Sequence, residues 1–235
     1  MNNKYSNFLT ILLVVIIIAI VAIIGFLGFK FYQTTTNKNN SEDFVNTFID
    51  QTQNGPSGNV SIIPSNGDDT TDEDSNIFEG VEGGNNNASS GGGSSSSNAP
   101  KYNGFLTSGT IEIPATNLKC PILDSSEYSP KALETSVVEL YGPGLNQVGI
   151  TTISGHNYRN GTFFSNNKKL QIGDKILITD LTGKRLSYTI YDKFEAEENY
   201  ADYMTKDTQG AIEVALSTCT DSAKARIIIL ARADV

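Results

Sequence analysis

Tryptophan is absent from this 235-residue chain, and histidine occurs once, at His156. Cysteine occurs twice, at Cys120 and Cys219. One imidazole and two thiols at these separations lack the ligand spacing of a zinc site, so metal-centred catalysis is poorly supported. The same scarcity narrows nucleophilic catalysis, because a thiol that works with a histidine has only His156 to work with. Lysine and arginine are missing from Asn39 to Pro100, and no basic face stands out elsewhere, which disfavours nucleic acid as a partner.

A second stretch lacks charge of either sign. From Phe8 to Phe29 nearly every residue is apolar, and Thr10 is the one hydroxyl. About 22 residues make roughly 33 Å of helix, enough to cross a hydrocarbon core of about 30 Å. A cleaved leader has a shorter apolar core that ends in small residues, whereas Phe26, Leu27 and Phe29 fill the end of this one. We therefore expect a short cytoplasmic segment over 1–7 and an uncleaved transmembrane helix over 8–29. Lys4 on one side and Lys30 and Lys38 on the other give no orientation. Everything foldable follows the helix, so an outward-facing C-terminal part is the simpler arrangement.

Residues 30–100 read as a flexible linker. Acidic residues such as Asp68, Asp69, Asp72, Glu73 and Asp74 concentrate there, with Asn85 to Asn87 and the serine- and glycine-rich run from Ser89 to Asn98. Such composition cannot bury enough apolar surface to offset the entropy lost on ordering. The apolar clusters Phe44 to Ile49 and Val60 to Ile63 are too short to change that reading. A coil of this length reaches roughly 45 Å.

The remaining segment, 101–235, is long enough for one core of ordinary size. Gly109 to Pro114 and Leu118 to Leu123 read as strands, separated by a turn-prone Ala115-Thr116-Asn117. A short helix is expected after Ser129, with Pro130 in its first turn. Further strands are expected over Val148 to Ser154, Lys175 to Thr179, Leu186 to Tyr191, Ile212 to Thr218 and Arg226 to Arg232, the last two as a final hairpin. Short strands without a long helical period between them predict a mostly β fold, closed or nearly closed into a barrel.

By type alone Cys219 could be a small buried hydrophobe, as most free cysteines are. It stands, however, where the apolar strand Ile212 to Leu216 gives way to Thr220-Asp221-Ser222, and a side chain there can be exposed. His156 follows a strand in Ser154-Gly155-His156-Asn157. Arg226 and Arg232 share a strand face but lie about 20 Å apart, so only one can reach the thiol. A direct hairpin brings Arg226 beside Cys219 and carries Arg232 to the far end. Cys120 reads as packing in the second strand.

Histidine, cysteine and arginine in this order, each at a strand edge, resemble a sortase. Ser154 to Asn157 with Gly161-Thr162-Phe163-Phe164 is similar to the sortase histidine segment. Leu216-Ser217-Thr218-Cys219 is similar to the family's Thr-Leu-X-Thr-Cys, with Ala215 where the first threonine would stand. The resemblance covers about 104–235 and implies an eight-stranded barrel with His156, Cys219 and Arg226 as catalytic residues. It implies a cysteine transpeptidase that cleaves a sorting motif of the Leu-Pro-X-Thr-Gly kind and passes the acyl group to an amine of a peptidoglycan precursor or a pilin. Anchoring in a bacterial cell membrane by a single span, catalytic domain outside, agrees with it. Substrate contacts are expected from Ser217, Thr218 and Asn157, and from Tyr200 and Tyr203 in the connection before the cysteine strand. No cofactor is required, although Glu195, Glu197, Glu198 and Asp202 could help bind calcium, as acidic residues do in some sortases. Asn157 to Phe164 resembles class B, whereas the compact domain resembles classes A and D.

Two other functions compete. A peptidoglycan L,D-transpeptidase also uses a late cysteine after a histidine, but there glycine precedes the cysteine and arginine follows within two residues. Thr218, Thr220 and Asp221 disfavour it. A tethered, noncatalytic surface-binding module would tolerate loss of Cys219.

Overall fold

The computed structural model describes residues 3–54 and 99–235. The seven expected strands, with β4 added, form a closed barrel of eight: β2 (Phe105–Ile113), β3 (Leu118–Leu123), β4 (Val137–Tyr141), β5 (Gly149–Ser154), β6 (Lys175–Asp180), β7 (Arg185–Ala196), β8 (Ile212–Cys219) and β9 (Arg226–Ala233). They hydrogen-bond in the order β2-β3-β4-β5-β8-β9-β7-β6, and β6 returns to β2 to close the ring. The two-residue β1 (Lys101–Tyr102) adds a ribbon at the start of β2. The pairs β3/β4 and β5/β8 are parallel, and the latter positions the site.

Strand alternation fills the barrel. Ile111 and Ile113, Ile176 and Ile178, Val214 and Leu216, and Ile227 and Ile229 are buried in one cluster that also holds Cys120. The outer face of β8 and β9 carries a second apolar layer, in which Ala215, Ile228 and Leu230 are covered by Tyr203. As expected, Pro130 opens a short helix, α2 (Pro130–Thr135), whose first turn is capped by the Ser129 hydroxyl accepting from the Ala132 amide at 3.2 Å.

Two strands depart from the expectation. β4 had no alternation to betray it, because Val137, Val138 and Glu139 are all buried. β7 runs on past Tyr191 to Ala196, and a register shift between Ile190 and Asp192 reverses which side chains face inward. A bulge of this kind breaks the period on which the sequence reading depends.

The linker expected over 30–100 is corrected in its first part. α1 (Asn3–Asn54) continues as helix well past the apolar segment. Within it Ile11–Phe29 is long and apolar enough to span a membrane, with a mean hydropathy of 3.4 and no burial. Farther along, Phe44, Val45 and Phe48 share one helix face and are buried, the phenylalanines against Tyr102, Leu123, Ala132 and Val138. The Ser41 hydroxyl donates to the Lys119 carbonyl at 3.1 Å. Composition pointed to coil because this stripe is narrow, but it docks on the outside of the barrel, where each buried phenylalanine contributes roughly 1.5–3 kcal/mol. At the far end Gly183, at φ +81°, turns the β6–β7 hairpin beneath α1, and a Cβ there would stand 2.6 Å from the Thr52 carbonyl oxygen. The rest of the expected linker, 55–98, lies outside the described residues.

Candidate active site

The parallel register of β5 and β8 pairs Ser154 with Ser217. His156 and Cys219 each lie two residues beyond that pair, so they leave the barrel at the same end on strands about 4.8 Å apart. The antiparallel β8–β9 hairpin then sets Arg226 opposite Cys219. Its Nη1 lies 3.5 Å from the Cys219 Sγ, while its Nη2 is 3.3 Å from the Glu198 Oε1. Arg232 is at the other end of the strand, where its Nε and Nη2 donate to the Glu213 Oε1 at 2.9 and 2.8 Å.

Packing fixes the histidine segment. A Cβ on Gly155 would stand 2.8 Å from both the Phe164 ring and the Val137 side chain, so only glycine lets the chain turn into His156 at this point. The Phe164 amide donates to the His156 carbonyl at 3.2 Å, and the histidine ring lies against Tyr158 with centroids 4.9 Å apart. Asn157 ties this segment to the thiol-bearing strand. Its Nδ2 donates to the Cys219 carbonyl and to the Asp221 Oδ1, both at 3.0 Å, and its Oδ1 accepts from the Arg159 amide at 3.1 Å. Lys168 holds the other Asp221 oxygen at 2.5 Å.

The two thiols have opposite surroundings. Cys219 is half-buried, at the mouth. Cys120 is enclosed within the barrel, and burial pushes its thiol up to about 12. Both are free.

The other expected contacts separate by strand face. Thr218 points into the barrel and is buried, with no partner for its hydroxyl among the described residues. Ser217 faces outward with Cys219 but is buried. Tyr203 is itself buried, and burial raises its phenol above the usual range. Tyr200 remains 43 % exposed, with its ring 6.1 Å from those of both Tyr203 and Phe194. Phe194, Ala196 and Tyr200 line an open depression there. Among the described residues no group of three or more histidine, cysteine or acidic side chains is placed to hold a metal ion, and Glu198 is engaged with Arg226.

Sequence reasoning missed the Glu198 contact, the Asp221–Lys168 pair, and a cleft between α1 and the histidine segment bordered by Lys38, Ser41, Lys119, Tyr158 and Phe163. All depend on contacts between distant segments and leave no local pattern.

A family model of the sortase domain matches residues 111–234. Among solved structures, the chain is similar to a sortase D5 transpeptidase of Clostridium perfringens, with 26 % identity, a TM-score of 0.50, and coverage of 55 % of this chain and 80 % of that one. It is also similar in fold to a lid mutant of sortase A from Corynebacterium diphtheriae, with 23 % identity, a TM-score of 0.51, and coverage of 56 % and 72 %. Comparison with curated proteins gives no match.

Proposed function

Because the chain belongs to the sortase family and is a sortase transpeptidase, we propose that Cys219 is its nucleophile, His156 its general acid and base, and Arg226 its oxyanion donor. The observation that carries this assignment is the hairpin register that sets the Arg226 guanidinium 3.5 Å from the Cys219 sulfur. In the first half-reaction the Cys219 thiolate attacks the carbonyl carbon of the scissile bond in a sorting motif of the Leu-Pro-X-Thr-Gly kind. Negative charge gathers on the former carbonyl oxygen, where an arginine donor acts most strongly. As the C–N bond breaks, the His156 imidazolium gives its proton to the departing amine and a thioester remains on Cys219. In the second half-reaction an amine attacks that thioester, His156 takes the amine's proton, and the thiolate leaves.

The donor substrate is a sorting-signal peptide of an exported protein. The acceptor is an amine of a peptidoglycan precursor or of a pilin. Tyr200, beside the open depression, is the exposed aromatic contact for the peptide, whereas Ser217 and Tyr203 support the wall from beneath. Asn157 acts by holding the histidine segment to the cysteine strand. The apolar part of α1 anchors the enzyme in the membrane with the barrel on the outer side.

The test is to incubate the full chain in detergent micelles with a peptide library built on Leu-Pro-X-Thr-Gly and to identify adducts by mass spectrometry. An acyl group on Cys219 with release of the C-terminal fragment is expected. Cleavage that persists in Cys219→Ala would overturn the assignment.

A further inference from the structure

The connection between β7 and β8 is tied to the barrel by charge at two places, Glu198 to Arg226 beside the thiol and Lys206 at the far end, and only the second reaches a buried partner. The Nζ of Lys206, on that connection, lies 2.8 Å from the Glu213 Oε2 on β8. Arg232, on β9, occupies the other carboxylate oxygen at 2.8 and 2.9 Å. The Tyr191 hydroxyl, on β7, donates to Oε2 at 2.8 Å and accepts from Lys206. The Glu213 side chain has no exposure at all, whereas Lys206 and Arg232 retain 30 % and 56 %. Burial would raise this carboxyl, but the hydrogen bonds from Lys206, Arg232 and Tyr191 outweigh it and hold the group below the usual carboxylate range. Removing a partner from a buried charge is strongly unfavourable, so the contact resists opening.

Direct chemistry does not account for this cluster. Glu213 precedes Cys219 by six residues on the same strand face, about 20 Å at roughly 3.3 Å per residue. It cannot touch a reacting atom. Between them on that face lie Ala215 and Ser217, and Tyr203 packs in one apolar cluster with Ala215. Tyr203 belongs to the single turn Asp202–Thr205, immediately before Lys206. Where Lys206 is held therefore decides where Tyr203, and Tyr200 tilted against it, stand over the strand that leads to the thiol.

The geometry points to Lys206 and Glu213 as positioning residues: their ion pair clasps the 197–211 connection onto the barrel and sets the shape of the peptide-binding wall beside Cys219. Arg232 binds the same carboxylate from β9, so its bond joins two barrel strands and leaves the connection out. The kinetic consequence rests on the sortase reading above, while the clasp itself does not.

The full chain in detergent micelles is compared as Lys206→Met, Arg232→Met and Lys206→Arg. Each methionine variant removes one cation from Glu213, but only Lys206→Met releases the connection. Lys206→Met is expected to raise KM for the best reporter peptide of the Leu-Pro-X-Thr-Gly library about tenfold while kcat stays within about twofold. Amide exchange across 197–211 should quicken in the same variant, and Lys206→Arg should restore both readouts. Arg232→Met should leave KM, kcat and exchange in 197–211 near the parent values. Equal KM changes in the two methionine variants, or unchanged exchange across 197–211 in Lys206→Met, would overturn the proposal. Should the parent chain turn over no peptide, the functional reading fails and the exchange measurement alone decides the clasp.

Discussion

Arg226 faces Cys219 across the last hairpin with its Nη1 3.5 Å from the sulfur, while Arg232, six residues on along the same strand, is held by Glu213. One strand thus presents a guanidinium at each end, and only one of them lies beside a thiol. Removing one oxyanion donor costs about 10² to 10³ in rate. Arg226→Ala should lose transpeptidation by about that factor while Cys219 still reacts with a small methanethiosulfonate reagent. Arg232→Ala should keep nearly the parent kcat. Equal kcat losses in two folded variants would mean that proximity to the sulfur is not what matters.

The two thiols should be chemically distinguishable. Burial holds Cys120 neutral until about pH 12, well above an ordinary cysteine at about 8.5. Because its folded-state value is raised, its contribution to stability is complete below about pH 8.5 and fades as pH climbs toward the folded value. Iodoacetamide at pH 8 should therefore modify only Cys219 in the folded chain, and both cysteines in urea. Two adducts per folded molecule would contradict the enclosed position of Cys120.

Why the placement of the candidate residues was legible in the sequence while parts of the fold were not follows from the range of the contacts involved. His156 follows β5, Cys219 ends β8 and Arg226 begins β9, each strand a mostly apolar run long enough to read, and a hairpin is local enough to choose between two arginines. β4 and the end of β7 were hidden because both-face burial and a bulge erase the two-residue period. Docking of Phe44 and Phe48 was hidden because their partners, Tyr102, Leu123, Ala132 and Val138, are distant in sequence. The inward orientation of Thr218 was implicit in its parity with Leu216 and Val214, but the motif match drew it into the substrate contacts instead.

Asn157 joins the histidine segment to the cysteine strand through its bonds to the Cys219 carbonyl and Asp221. The bond to the Cys219 carbonyl contributes about 1 kcal/mol to stability and the exposed bond to the Asp221 carboxylate is of similar size, so Asn157→Ala should remain folded. Its effect should fall on kcat, with a loss of about tenfold or more, because displacement of a catalytic group by about 1 Å is costly. Asn157→Asp should fare no better, since a carboxylate offers no donor to the Cys219 carbonyl. A parent-like kcat in Asn157→Ala would show that Gly155 and Phe164 alone hold the histidine in place.

The docking of α1 carries a consequence for where the folded unit begins. Phe48 is fully buried at the α1–barrel contact, and Phe44 is 5 % exposed there. Truncating a buried phenylalanine to alanine costs about 3–5 kcal/mol, which in a unit of this size lowers Tm by roughly 10 °C. Phe48→Ala in the full chain should show that loss by thermal denaturation. A fragment of 101–235, which uncovers Tyr102, Leu123 and Val138, should be destabilised at least as much, whereas a fragment of 38–235 should melt close to the full chain. A 101–235 fragment as stable as 38–235 would mean that the helix contact contributes nothing to the barrel and that the folded unit starts at β1.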